Sequence, residues 1–175
     1  MEFIIERGSE KDIDGLAQLY DNLNDSLAAG NNYPGWKKGI YPVRENAEDG
    51  VANKTLYVAR ENGKIVGTVI LNHEPEAAYH TAEWGMKADY ADVFVVHTFA
   101  VHPANSGRGI GKRLLDFAQQ LAAETNMKAI RLDVFEKNVP AIRLYEKCGF
   151  RYVDTVDLGL SNFGLDWFRL YEKIL

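Results

Sequence analysis

From Val93 to Leu115 the chain reads VFVVHTFAVHPANSGRGIGKRLL, and this stretch decides the fold. Val93 to Val101 is a run of nine residues, mostly β-branched or aromatic, which reads as a buried strand. Pro103 ends it, because proline cannot donate to a strand ladder. Gly107, Gly109 and Gly111 then permit a backbone path that side chains would block. Ile110, Leu114, Leu115, Ala118, Leu121 and Ala122 follow at helical spacing. The glycines therefore sit at the head of a helix, where amide groups lack partners and the helix dipole is positive. That is a place for an anion. The dipole contributes only ~0.3–1 kcal/mol, whereas each hydrogen bond to a charged phosphate is worth ~1.5–3 kcal/mol. Converging amides, helped by Arg108 and Lys112, would thus bind a pyrophosphate mainly through hydrogen bonds.

Two common phosphate loops do not fit. A Walker loop needs glycine at 106 and serine or threonine at 113, where Ser106 and Arg113 stand. A dinucleotide fingerprint needs glycine at 112, where the chain has Lys112. The stretch instead resembles motif A of the GNAT superfamily of acetyl-CoA-dependent N-acetyltransferases. The strand ends in Phe99-Ala100-Val101, and Gly109-Ile110-Gly111 supplies the paired glycines; Ser106 replaces the family's usual arginine or glutamine. Downstream, Asn138-x-x-Ala141-x-x-Leu144-Tyr145-x-x-x-Gly149-Phe150 resembles motif B. Two motifs in this order are far more specific than either alone.

Outward from these motifs the remaining elements follow in order. Phe3 to Arg7 reads as a strand, and Ser9 with Asp12 signals the start of a helix through Ala28. Arg44 to Gly50 is a short helix. Thr55 to Arg60 and Lys64 to Asn72 read as a hairpin about Asn62-Gly63. His73 to Tyr90 has no clear period and reads as a long connection. Lys128 to Phe135 is a strand, Asn138 to Cys148 a helix, and Arg151 to Leu158 with Leu165 to Ile174 a closing pair of strands. The resemblance implies an α/β (α+β) fold of the GNAT acyl-CoA N-acyltransferase type. Its mixed central sheet has about six to seven strands, with helices on both faces and a splayed pair of parallel strands at Val93 and Lys128. Residues 1–175 are expected to form a single domain.

Composition bounds the function. With 46% hydrophobic and 26% charged residues, the chain is an ordinary globular one. A net charge of −5 and a pI near 5.4 argue against nucleic-acid binding and slightly favour a cationic substrate. No leader, anchor or membrane span is read, and the lone Cys148 fits a packing role in a cytoplasmic protein. Aromatic residues near the C-terminus are consistent with a homodimer.

Moving an acetyl group from a thioester to an amine requires a neutral amine, a polarised carbonyl and a stabilised thiolate. A lysine-like amine is neutral about one time in a few thousand at pH 7, so its deprotonation costs ~4–5 kcal/mol. A base, or water relayed to one, is needed. The resemblance points to His97 and to Asp133 for that role, each with the alternative of a purely structural histidine or ion pair. It matches Tyr145 to the family's general acid, which acts by hydrogen bonding because proton transfer from phenol to thiolate is uphill by ~2 kcal/mol. Acetyl-CoA is implied as cofactor. Phe99, Ala100 and Val101 are expected against its pantetheine, Gly107, Arg108, Gly109, Ile110, Gly111 and Lys112 against its pyrophosphate, and Asn138 against the pantetheine arm or as a helix cap. Tyr33, Trp36 and Tyr41, on a loop from Gly30 to Pro42, and Trp84 are the substrate-facing aromatic candidates. The implied substrate is a small-molecule or peptide amine, and no metal is called for. A non-catalytic acyl-CoA-binding sensor is the alternative.

Overall fold

The computed structural model describes residues 2–175. Among them the chain divides into two compact units, one made of residues up to Asn32, Trp36–Leu71 and His97–Phe117, the other of Tyr33–Gly35, Asn72–Val96 and Ala118–Leu175.

The first unit contains β1 (Phe3–Arg7), α1 (Ile13–Ala29), α2 (Arg44–Ala52), β2 (Leu56–Glu61) and nearly all of β3 (Lys64–Asn72), with the second half of β4 (Val93–Val101) and the start of α3 (Ile110–Glu124). β1 pairs antiparallel with β2, from Phe3↔Glu61 to Arg7↔Tyr57, and β2 pairs antiparallel with β3. The expected hairpin closes at Asn62 and Gly63, whose φ values of 49° and 81° are those of a two-residue turn matched to strand twist. Leu16, Leu19 and Tyr20 of α1 pack on Leu56, Val58, Ile70 and Ala100, with Ala47 of α2 completing the core. Gly67 of β3 serves α3: a Cβ there would lie 3.0 Å from Leu114 Cδ1 and 3.1 Å from Ile110 Cγ2. The helix head is seated where only a glycine strand leaves room.

A polar anchor ties this unit together. Asp12 accepts from the Ser9 amide at 2.8 Å and from Arg60 Nη2 at 2.7 Å, and Arg60 Nε donates to Glu6 at 2.6 Å. Helix start, β1 and β2 thus share one ion cluster. Burial pushes the Asp12 carboxyl up, but the Ser9 amide and the Arg60 guanidinium outweigh it and hold the group below its ordinary value.

The second unit contains the start of β4, β5 (Ala129–Phe135), α4 (Val139–Lys147), β6 (Arg151–Val156) and β7 (Phe168–Ile174). β4 and β5 are parallel, with Val93↔Ala129, Phe94↔Ile130 and Val95↔Arg131 as their pairs. β5 continues antiparallel to β7 as far as Phe135↔Phe168, and β7 pairs antiparallel with β6. Along the hydrogen bonds the strand order is β1-β2-β3-β4-β5-β7-β6, a mixed seven-stranded sheet that agrees with the fold expected from sequence. The closing strands are shorter than expected. Leu160 and Leu165 bridge around a 3-10 turn at Ser161–Phe163, so β7 begins at Phe168. The connection after Asn72 is pinned, not loose. Arg131 and Glu172 form a buried pair at 2.9 Å, Glu172 accepts from the amides of Gly85 and Met86, and the Arg131 guanidinium stacks on Trp84 at 4.4 Å. No helix of the described residues is long and apolar enough to cross a membrane.

Replacing Asp12 by asparagine removes a charge-assisted pair and lowers unfolding free energy by ~2 kcal/mol at neutral pH. Because the folded carboxyl lies below its ordinary value, this contribution is complete above roughly pH 5 and is lost as pH falls through the folded value. Urea unfolding of wild type and Asp12→Asn at several pH values checks this: the difference must shrink as the pH falls below the ordinary carboxylate range, and a constant difference contradicts it.

Candidate functional site

In the first unit, β4 ends at Val101 and a 3-10 turn at Pro103–Asn105 leads into the glycine turn. Gly107 and Gly109 have φ of 75° and 77°, and a Cβ at either would meet nothing within 4 Å. Glycine is thus favoured there by backbone conformation and not by crowding, since the Cβ position at each is open space. α3 starts at Ile110, and a helix starting there leaves its first amides without intrahelical acceptors. The two expected cations have carboxylate partners. Arg108 makes a two-pronged pair with Glu61 at 2.7 and 2.9 Å, and Lys112 bonds Asp116 at 2.6 Å. The Arg108 guanidinium holds the Glu61 carboxyl below its ordinary range. Exposed pairs of this kind are worth ~0–1 kcal/mol, less than one hydrogen bond to a phosphate at ~1.5–3 kcal/mol, so neither pair bars a diphosphate from the turn.

Within β4 the backbone leaves strand geometry at Thr98, whose φ is 47°. A β-branched residue in that conformation is an outlier costing ~1–3 kcal/mol, sustained only where surrounding contacts enforce it. Thr98 is only 5% exposed, and its hydroxyl shares a 2.8 Å hydrogen bond with the Tyr41 hydroxyl. His97, Phe99 and Val101 are half-buried and alternate with buried Thr98 and Ala100. Val95, which alternation puts on the face of His97, is fully buried. Of the aromatic loop, Tyr33 stays 41% exposed, while Trp36 packs on the first unit's core and meets Tyr41 edge-on at 5.4 Å.

In the second unit, Asp133 on β5 accepts from the Tyr79 hydroxyl at 2.6 Å. Burial, and then the Asp133 charge, push the Tyr79 phenol well above its ordinary value, so tyrosine is the donor in this bond. Tyr79's carbonyl in turn accepts from the Trp84 indole at 2.8 Å. Trp84 is therefore built into this unit's packing, with its ring under Arg131. Tyr145 on α4 is buried among Phe150 and Tyr171, with ring centroids at 6.0 and 6.4 Å. Asn138 caps α4 by accepting from the Ala141 amide at 3.4 Å. Cys148 is buried, and its carbonyl accepts from Lys173 Nζ at 2.7 Å. Reading the sequence missed Tyr79, Thr98 and Glu61. Tyr79 lies in a segment without periodicity, and the φ of Thr98 has no signature in a run of strand formers.

The chain matches the acetyltransferase (GNAT) family over residues 17–150. It belongs to that family. It is similar to streptothricin acetyltransferase of Escherichia coli, with 30% identity over 116 residues that cover 65% of this chain and 58% of that protein, so the match spans little more than half of the relative's length. It is similar also to an uncharacterized N-acetyltransferase of Methanocaldococcus jannaschii, 25% identical over 183 residues, 98% of this chain and 67% of that protein. In fold it resembles a GNAT-family acetyltransferase from Streptococcus agalactiae, with a TM-score of 0.77, 24% identity and coverage of 99% and 95% of the two chains.

Tyr79→Phe deletes a hydrogen bond to a charged acceptor and lowers unfolding free energy by ~1.5–3 kcal/mol. The urea midpoint measures this directly, and an unchanged midpoint contradicts the anchoring of Asp133 by Tyr79.

Proposed function

We propose that this protein transfers the acetyl group of acetyl-CoA to a primary amine of a small molecule or peptide. The observation that carries the reading is the turn at Gly107 and Gly109, left-handed at both glycines and with open space at each Cβ position, which delivers the chain into the head of α3, where the first turn of a helix directs its amides outward. Such a cradle fits a diphosphate. Gly107, Gly109, Ile110 and Gly111 hold it through backbone amides, with Arg108 and Lys112 adding charge as they exchange carboxylate partners for phosphate. Phe99, Ala100 and Val101 lie along the pantetheine, and Asn138 contributes to its arm while capping α4. The cofactor supplies an acyl group activated as a thioester.

The chain's own groups supply the rest. His97, or Asp133 positioned by the Tyr79 hydroxyl, removes the amine proton through water. An amide beside Phe99 would supply a hydrogen bond to the acyl carbonyl of the bound thioester, where charge develops on oxygen during transfer. Tyr145 offers its hydroxyl to the departing thiolate. Its side chain is buried, so a hydrogen bond made there acts in surroundings of low dielectric. Tyr33 and Trp36 contact the acceptor, whose amine is drawn by a chain of net charge −5. The reading places the whole chain in one functional domain.

Tyr145→Phe lowers kcat at least ~10-fold while the coenzyme A dissociation constant stays within about twofold. Steady-state kinetics with an amine panel, paired with calorimetry, checks both numbers, and an unchanged kcat removes Tyr145 from the mechanism. Glu61→Gln releases Arg108 and removes a negative charge beside the turn, so coenzyme A binds roughly 3- to 10-fold tighter. Weaker binding in this variant contradicts the assignment of Arg108 to the pyrophosphate.

A further inference from the structure

Tyr41 is fixed at every polar atom it has. Its amide donates to Lys37 O at 3.0 Å, and its carbonyl accepts from Nδ2 of Asn24, a residue of α1 only 2% exposed. Its ring meets Trp36 edge-on, and its hydroxyl shares the 2.8 Å bond with Thr98. Packing binding aromatics loosely on a loop would not need such anchorage. What lies at the far end of it is the one left-handed residue of β4, set between His97 and Phe99. The turn of the backbone at Thr98 decides the direction in which the neighbouring amides point, and a strand forming its ordinary ladder would aim them elsewhere.

We propose that Tyr41 is a positioning residue that holds β4 in its left-handed conformation at Thr98 and thereby aims the amide beside Phe99 at the acyl carbonyl. The second half of this statement rests on the acetyl-transfer reading; the first does not. A chain of contacts runs from α1 through Asn24 and Tyr41 to Thr98, all inside the first unit. Because Trp36 and Tyr41 belong to the loop that meets the acceptor, an acceptor seated on that loop presses on the same contact that aims the amide. Acceptor binding and carbonyl polarisation are thereby coupled.

Crystal structures and kinetics of wild type, Tyr41→Phe and Thr98→Val test this. In the wild type Thr98 has positive φ; in Tyr41→Phe it returns to negative φ. Loss of aim by a fraction of an ångström to an ångström lowers kcat roughly 10- to 100-fold, while the dissociation constant for coenzyme A stays within about threefold. Thr98→Val behaves like Tyr41→Phe, and combining the two adds little, because both break one bond. Thr98→Ser, which keeps the hydroxyl, loses less than Thr98→Val. A positive φ retained in Tyr41→Phe overturns the proposal, as does a kcat within twofold of wild type. If the wild type itself transfers no acetyl group to any amine, the functional reading fails, and the φ comparison alone decides the role of Tyr41.

Discussion

β4 and β5 pair only through Val93, Phe94 and Val95. Everything proposed for this protein depends on that short ladder. Parallel strands are ordinarily buried on both faces and paired along their length. Here β5 goes on to Phe135 with β7 as its partner, and β4 goes on to Val101 through a residue in left-handed conformation. The backbone of β4 around Phe99 is shaped by side chains as well as by neighbouring strands.

Each unit is braced by an ion cluster of a different kind. In the first, Asp12 and Arg60 join the start of α1 to two strands near the surface, and Glu6 shares the guanidinium. In the second, Arg131 and Glu172 are almost wholly buried and gather the amides of Gly85 and Met86 with the Met86 carbonyl. Burying two charges is costly, and apolar replacements of a buried pair are often as stable. The return is definition: this pair gives a segment whose regular structure is limited to short 3-10 turns at Ala77–Thr81 and Tyr90–Asp92 one position against β5 and β7. That position carries Tyr79, and with it the orientation of Asp133.

Much of this was legible in the sequence because it is local. The run from Val93 to Val101, the glycines at 107 and 109, Asn62-Gly63 and the Asn138 cap each leave a mark within a few residues of themselves. The mixed sheet and its parallel pair at Val93 and Lys128 followed from these marks and the family resemblance. What could not be read is long-range. Tyr79 and Asp133 are separated by 54 residues, and Arg131 and Glu172 by 41. Nothing in the spacing of either pair foretells the contact. The start of β7 was misplaced because Leu165 and Leu160 look like strand residues yet close a turn around Ser161–Phe163. Trp84 read as a substrate-facing aromatic, and the partners that fix its ring, the Tyr79 carbonyl and the Arg131 guanidinium, left no mark beside it in the sequence.

The central claim is that the amides at the head of α3 grip a diphosphate. Calorimetric titration of the chain of residues 1–175 with coenzyme A and, in parallel, with pantetheine isolates that grip, because the two share the thiol arm and differ in the nucleotide and its phosphates. The account predicts saturable binding of coenzyme A and binding of pantetheine weaker by about 100-fold or more, the worth of two lost hydrogen bonds to a charged group. Equal affinities for the two, or no heat with coenzyme A, would contradict it.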